Sequence, residues 1–153
     1  MRWQYLTGVA DVQALAEALD GGFVFAHPEA VLRLRDGDRA VPASTLMSRG
    51  VPRAFYRLAV APEVPAAVAF EEGWIDGLAG SEEEAKAALL DPSLSLSARL
   101  AAARLLRAPS RQAALARERA EFALLQAGAD KAEGIAAFRS RGDPRFENRW
   151  ISS

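Results

Sequence analysis

Glu118-Arg-Ala-Glu-Phe-Ala-Leu-Leu125, followed closely by Ala129-Asp-Lys-Ala-Glu-Gly-Ile-Ala-Ala-Phe-Arg-Ser-Arg-Gly-Asp-Pro-Arg-Phe-Glu-Asn-Arg-Trp150, is the stretch on which the fold turns. The first run holds no helix breaker and predicts a long helix, with Ser110 placed to cap its start and Gln126 near its end. Asp130 with Glu133 three residues on has the spacing of a capping box, in which an N-terminal oxygen and a following carboxylate satisfy free amides of the first turn. Ile135 and Phe138, three apart, share one face of the helix so opened.

Upstream of the tail, helical signals run back to Pro42. Leu96, Leu100, Ala103 and Arg107 keep the helical period, and Ser81-Glu-Glu-Glu84 is a second capping box, opening a helix that must stop by Asp91-Pro92. Asp91 to Leu96 is the predicted hinge. Trp74-Ile-Asp-Gly-Leu78 is a short extended apolar piece. Val64-Pro65 opens a helix that Gly73 stops near Glu72, and Val51, Ala54, Phe55 and Leu58 make one helical face before it.

Extended structure is confined to the front. Phe23-Val-Phe-Ala26 predicts a buried strand, and Ala30-Val-Leu-Arg-Leu-Arg35 alternates apolar and basic residues as a half-exposed strand does, ending in a turn at Asp36-Gly-Asp38. The two are expected to pair as a ribbon. Before them Val9, Val12, Leu15, Ala16 and Leu19 predict an amphipathic helix over 9–20, stopped by Gly21-Gly22. No internal repeat is legible.

Composition narrows the chemistry. The chain has 153 residues, is 50% hydrophobic and carries a net charge of −1, so nothing in it favours nucleic acid or membrane. No window approaches the ~18 apolar residues of a spanning helix, which makes the cytoplasm the expected location. The absence of cysteine excludes disulfides and thiolate chemistry. A single histidine, His27, leaves little material for a multi-histidine metal site or a Ser-His-Asp triad, and just before Pro28 it is expected to make a structural hydrogen bond in a turn.

The tail resembles the C-terminus of the enoyl-CoA hydratase/isomerase (crotonase) superfamily: a helix ending in Phe122, then Glu133-Gly134 and Ala137-Phe138, a basic segment over Arg139 to Arg141, and Pro144 with Phe146. Gly50 to Leu58, Ala66 to Asp76, and Gly8 to Ala26 resemble earlier parts of the same family. Members are longer than this chain, so the resemblance implies the rear of such a domain with its N-terminal half missing. The expected fold is α/β and mostly helical: a truncated crotonase-like core over residues 1–90 and a C-terminal helical oligomerisation region over 91–153, together one compact domain.

Crotonase chemistry holds the thioester oxygen with two backbone amides as it becomes an enolate, because charge develops there in the transition state. One amide belongs to the family's front half. The other comes from a glycine run at a helix start, and an ungapped count from Phe23-Val-Phe-Ala26 puts Val12, Gln13 and Ala14 there. Hydratases also use two glutamates around a water; the same count puts the first at Ala16, one residue from Glu17, and the second at Asp36. The resemblance therefore implies Asp36 as the catalytic acid/base. It also implies that Phe138 and Arg141 contact the acyl-CoA of a neighbouring subunit, arginine being suited to phosphate. No metal and no cofactor beyond the substrate's own coenzyme A is implied. The implied partners are an acyl-CoA thioester and further copies of the chain, as a trimer or a multiple of one. The expected function is binding of, or action on, acyl-CoA thioesters; the alternative is a non-catalytic structural or binding subunit that keeps only the family's assembly surface.

Overall fold

The computed structural model describes residues 3–20, 22–49, 60–106 and 111–147. The chain parts into two compact units, Met1–Lys86 and Ala87–Ser153.

The first unit is built on two small sheets. Trp3–Leu6 (β1) pairs parallel with Phe23–Ala26 (β3), which pairs parallel on its other side with Gly77–Leu78 (β8). In the second sheet Val9–Ala10 (β2) lies parallel to Val31–Arg33 (β4), and β4 is antiparallel to Glu63–Pro65 (β7). Val12–Asp20 (α1) joins β2 to β3. The path strand, strand, helix is thus followed by a second pair of strands lying beside the first, Trp3 next to Phe23 and Val9 next to Val31. This is a structural repeat without a sequence repeat, since a parallel pair needs matched backbone and apolar alternation rather than matched residues.

Three expectations change here. β3 and the following strand do not form a ribbon, because the turn closed by the Ala30 amide on the His27 carbonyl (2.9 Å) carries the chain from one sheet into the other. The helix predicted from residue 9 starts at Val12, since Val9 is taken by its pairing with Val31. Only Gly77 and Leu78 of the apolar piece after Gly73 are strand. Gly77 lies opposite Phe25, and a Cβ there would sit 2.5 Å from Phe25 Cε1, so the ring fills the space a side chain would need.

Other expectations hold. Leu32 and Leu34 are fully buried while Arg35 is exposed, which is the predicted alternation, and Arg35–Asp36 (β5) folds back on Arg39–Ala40 (β6). Val12, Leu15, Ala18 and Leu19 form the buried stripe of α1 and pack with Val24, Leu32, Val64 and Trp74 in one core. Ala43–Ser48 (α2) adds Leu46 to it, and Ala66–Glu71 (α3) stops at Gly73, whose φ of 77° is the left-handed region glycine tolerates. The helical face from Val51 to Leu58 lies outside the described residues. Ser81 Oγ accepts the Glu84 amide (3.1 Å) and Glu84 reaches back to the Gly80 amide (2.6 Å), opening Glu82–Leu89 (α4), which crosses the division between the units. Tyr5 donates to the Ala79 carbonyl (2.8 Å). Desolvation, then the carboxylates of Glu84, Glu83 and Glu82, raise its phenol above the ordinary tyrosine value.

The second unit is helical: Leu96–Leu106 (α5), Arg111–Ala127 (α6) and Ala129–Ser140 (α7). Arg107 and Ser110 lie outside the described residues. The predicted hinge is a bonded turn, with Asp91 accepting the Ser93 amide (2.8 Å) and hydroxyl (2.7 Å); these bonds, with Arg99 further off, hold its carboxyl below the ordinary aspartate range. The Phe146 amide donates to the Pro92 carbonyl (2.7 Å), closing the tail onto that turn. No described helix is long and apolar enough to cross a membrane.

One polar side chain holds the first unit together. The Arg49 side chain is 4% exposed. Its Nε donates to the Leu19 carbonyl (2.9 Å), Nη2 to the carbonyls of Ala18 (3.3 Å) and Gly22 (2.9 Å), and Nη1 to Asp76 Oδ2 (3.1 Å). The same carboxylate oxygen accepts the Val24 amide (2.8 Å). Arg49→Ala is expected to cost about 3 kcal/mol, the range for breaking a buried pair, read as a fall in the urea midpoint at constant slope. In a double-mutant cycle with Asp76→Ala, the two losses should sum to more than the loss in the double variant.

Candidate functional site

The start of α1 is where the residue count puts an oxyanion-holding amide. β2 ends at Ala10, and Asp11 stands between strand and helix. Its carboxylate accepts the Ala14 amide (2.9 Å) and its carbonyl accepts the Leu15 amide (2.9 Å), so Asp11 caps the helix. Two consequences follow. The Ala14 N–H is engaged, and a negative charge already stands where the helix dipole would favour an incoming one. Gln13 turns away to Glu17 (3.0 Å), one turn along an exposed face. Asp11 was missed in the sequence, although an aspartate directly before an apolar periodic run is a helix-start signal.

Asp36 lies on the β5–β6 hairpin, whose turn includes Gly37. Its side chain is 68% exposed and stands 3.8 Å from Arg33, which makes a tighter pair with Glu63 (2.8 Å). His27 accepts the Glu29 amide on Nδ1 (3.2 Å), the turn contact expected of it.

Phe138 and Arg141 belong to the second unit. Phe138 is 86% exposed near the end of α7, and Arg141 caps that helix in the left-handed conformation, φ 53°, its amide donating to the Phe138 carbonyl (3.3 Å). Both residues are exposed. Neither lines the cleft of about 580 Å³ between α5, α6, α7 and the tail, whose walls include Leu100, Leu124, Leu125, Ala136 and Phe146. At the cleft Arg104 pairs with Glu121 (3.2 Å), and Glu133 accepts the Arg145 amide (2.7 Å).

Asp130 differs from its expected role. Gly128 occupies the N-cap of α7, and Asp130 instead accepts the hydroxyls of Ser95 and Ser97, each at 2.6 Å. Ser95 also caps α5 through the Ala98 amide (3.1 Å), so a single carboxylate ties the starts of two helices. The capping-box spacing was real, but the long-range hydroxyls outcompete the local amide. Among the described residues no group of three or more His, Asp or Glu is arranged to hold a metal ion.

No family model and no curated protein sequence matches the chain. Solved structures do. The enoyl-CoA hydratase of Mycobacterium tuberculosis H37Rv is 22% identical, with a TM-score of 0.64 over 92% of this chain and 61% of that one. The enoyl-CoA hydratase of Thermoplasma volcanium GSS1 is 18% identical, TM-score 0.67, over 88% and 58%. An enoyl-CoA hydratase subunit from Geobacillus kaustophilus HTA426 is 24% identical, TM-score 0.62, over 93% and 60%. The chain carries part of the crotonase fold. It spans about 60% of the length of these structures.

Within that fold, the cap on α1 has a measurable energy. Asp11→Ala is expected to lower stability by about 1 kcal/mol, whereas Asp11→Asn, which keeps the side-chain acceptor, should cost only a few tenths. Urea unfolding of both variants checks this; equal losses would mean that Asp11 acts by charge and not as a cap.

Proposed function

We propose that this chain is a crotonase-fold protein that binds acyl-CoA thioesters without hydrating them, and that it works as a cytoplasmic homo-oligomer, a trimer or a multiple of one. The observation that carries this reading is the α1 terminus. An enolate oxygen needs free amide donors, and here Ala14 gives its N–H to a carboxylate on the same turn. Paired carboxylates around a water are also wanting, since the counted positions hold Ala16 and the exposed, ion-paired Asp36. Asp36 remains the one acid at a counted position and the residue to test for any acid/base role.

Binding is proposed at Phe138 and Arg141. The exposed ring offers a stacking or apolar surface to an adenine or pantetheine group, and the guanidinium pairs with phosphate in two-toothed fashion. Apolar exposure supports assembly: Phe122 is 61% and Leu124 56% exposed on α6, in addition to Phe138. The ligand needs no other cofactor.

Calorimetry with coenzyme A is expected to give weak heat that diminishes with added salt and is lost in Arg141→Ala. No heat in either protein, or equal affinity in both, would assign the tail to assembly alone. Hydration of short enoyl-CoA thioesters should be negligible, since one lost oxyanion donor costs about 100- to 1,000-fold; robust turnover abolished by Asp36→Asn would instead make the chain an enzyme. Light scattering at micromolar concentration should find an oligomer, and a clean 16.4 kDa monomer would refute the assembly proposal.

A further inference from the structure

The cleft of the helical unit, about 580 Å³ between α5, α6, α7 and the tail, has the size of a small-molecule site. Leu100, Leu124, Leu125 and Phe146 make much of its wall apolar, and the short side chains of Ala132 and Ala136 on α7 keep it open. Neither Phe138 nor Arg141 lines it, so it lies apart from the surface proposed for coenzyme A.

Charge at this wall is unbalanced. Arg104 and Arg145 stand against Glu121, Asp130, Glu133 and Glu147, a formal charge of −2. Arg104 meets both oxygens of Glu121 (3.2 and 3.3 Å), and that pair cancels. Arg145 reaches Glu133 through its backbone amide, a neutral donor. Asp130 is likewise held by neutral donors, the hydroxyls of Ser95 and Ser97, both on Oδ2. Among the described residues neither Asp130 nor Glu133 is ion-paired with an arginine or lysine. Two half-buried carboxylates, one turn apart on α7, thus face an apolar cleft without a cation between them.

Such a cleft selects its occupant by charge. A neutral apolar body gains from burial alone, an anion adds repulsion from the carboxylates, and a cation on an apolar body gains from both burial and attraction. We infer that the cleft is a binding site for a small organic amine, whose ammonium or guanidinium head sits at Asp130 and Glu133 while its apolar body packs on Leu100, Leu125 and Phe146. Volume sets the occupant as a small molecule. An amphipathic helix, anchored at positions one and two turns apart, needs a longer groove than this. The inference goes beyond acyl-CoA binding and does not rest on it: the phosphates of coenzyme A are repelled by this wall, and a negative coenzyme A titration leaves the amine site standing.

The test uses three probes that share one chain and differ in head charge: octylammonium, octanol and octanoate. Each is titrated into the 153-residue protein at neutral pH and low salt, and binding is followed by amide chemical shifts. Octylammonium is expected to bind saturably, about tenfold tighter than octanol and at least about 100-fold tighter than octanoate, with the largest shifts around Leu100, Leu125 and Ala136. Added salt should narrow these differences, because the carboxylates are only half-buried. Glu133→Gln keeps an acceptor for the Arg145 amide but removes a charge, and should cut the preference for octylammonium over octanol about threefold. Ala136→Leu fills the cleft and should abolish binding of both probes with helical content unchanged by circular dichroism; Ala132→Leu serves as a second filling variant if the first fails to fold. Absence of saturable octylammonium binding, equal affinity for the three probes, a preference for octanoate, or binding indifferent to the filling variants would each overturn the inference.

Discussion

The first unit depends on a guanidinium placed where carbonyls would otherwise be stranded. Helix α1 ends without a described side-chain cap of its own, leaving the carbonyls of Ala18 and Leu19 to find donors near the start of β3. Arg49 supplies them and in the same stroke neutralises Asp76, which accepts the Val24 amide of the all-buried β3. Burying such a cation is unfavourable unless its donors are matched. With them matched, the end of α1, the start of β3 and the turn before β8 acquire one shared geometry. A looser hydrophobic contact would tolerate sliding between these pieces; a five-donor fork does not.

That constraint was not legible in the sequence. Arg49 lies between Ser48 and Gly50 with nothing local to mark it, and its partners are 27 to 31 residues away. What was legible had short range and strong period: the Leu15–Leu19 stripe, the Phe23–Ala26 run, the alternation around Leu32 and Leu34, the Ser81–Glu84 box and the Gly73 stop. β1 escaped notice because Trp3-Gln-Tyr-Leu6 is only half-buried and becomes a strand by pairing with Phe23–Ala26. β2, β7 and β8 are two or three residues long, too short for any periodicity to mark them.

The candidate site divides in the same way. The tail pattern that pointed to the crotonase fold is local, and the Phe138 and Arg141 it indicates lie three residues apart, one in α7 and the other the left-handed residue that ends it. The cleft depends on Leu100, Leu125 and Ala136 from three helices, and the Ser95–Ser97–Asp130 cluster on a separation of more than thirty residues. Such groupings appear in no window of sequence. Asp11 is the opposite case: its signal was local and readable, but counting against glycines directs attention to the three residues after it.

A fold and the chemistry it hosts draw on different atoms. The core of Leu15, Leu19, Val24, Leu32, Leu34 and Trp74 is indifferent to what caps the first turn of α1. Stability favours a carboxylate there, worth about 1 kcal/mol as a cap and a few tenths more against the helix dipole. Catalysis would disfavour it more strongly. Two unit charges about 4 Å apart repel by about 4 kcal/mol at the effective dielectric of a protein surface, the same size as the loss of an oxyanion donor. A chain under pressure to stabilise an enolate would keep that position open at the expense of stability. On the proposed non-hydrating reading that pressure is absent, and a carboxylate at Asp11 serves the cap alone.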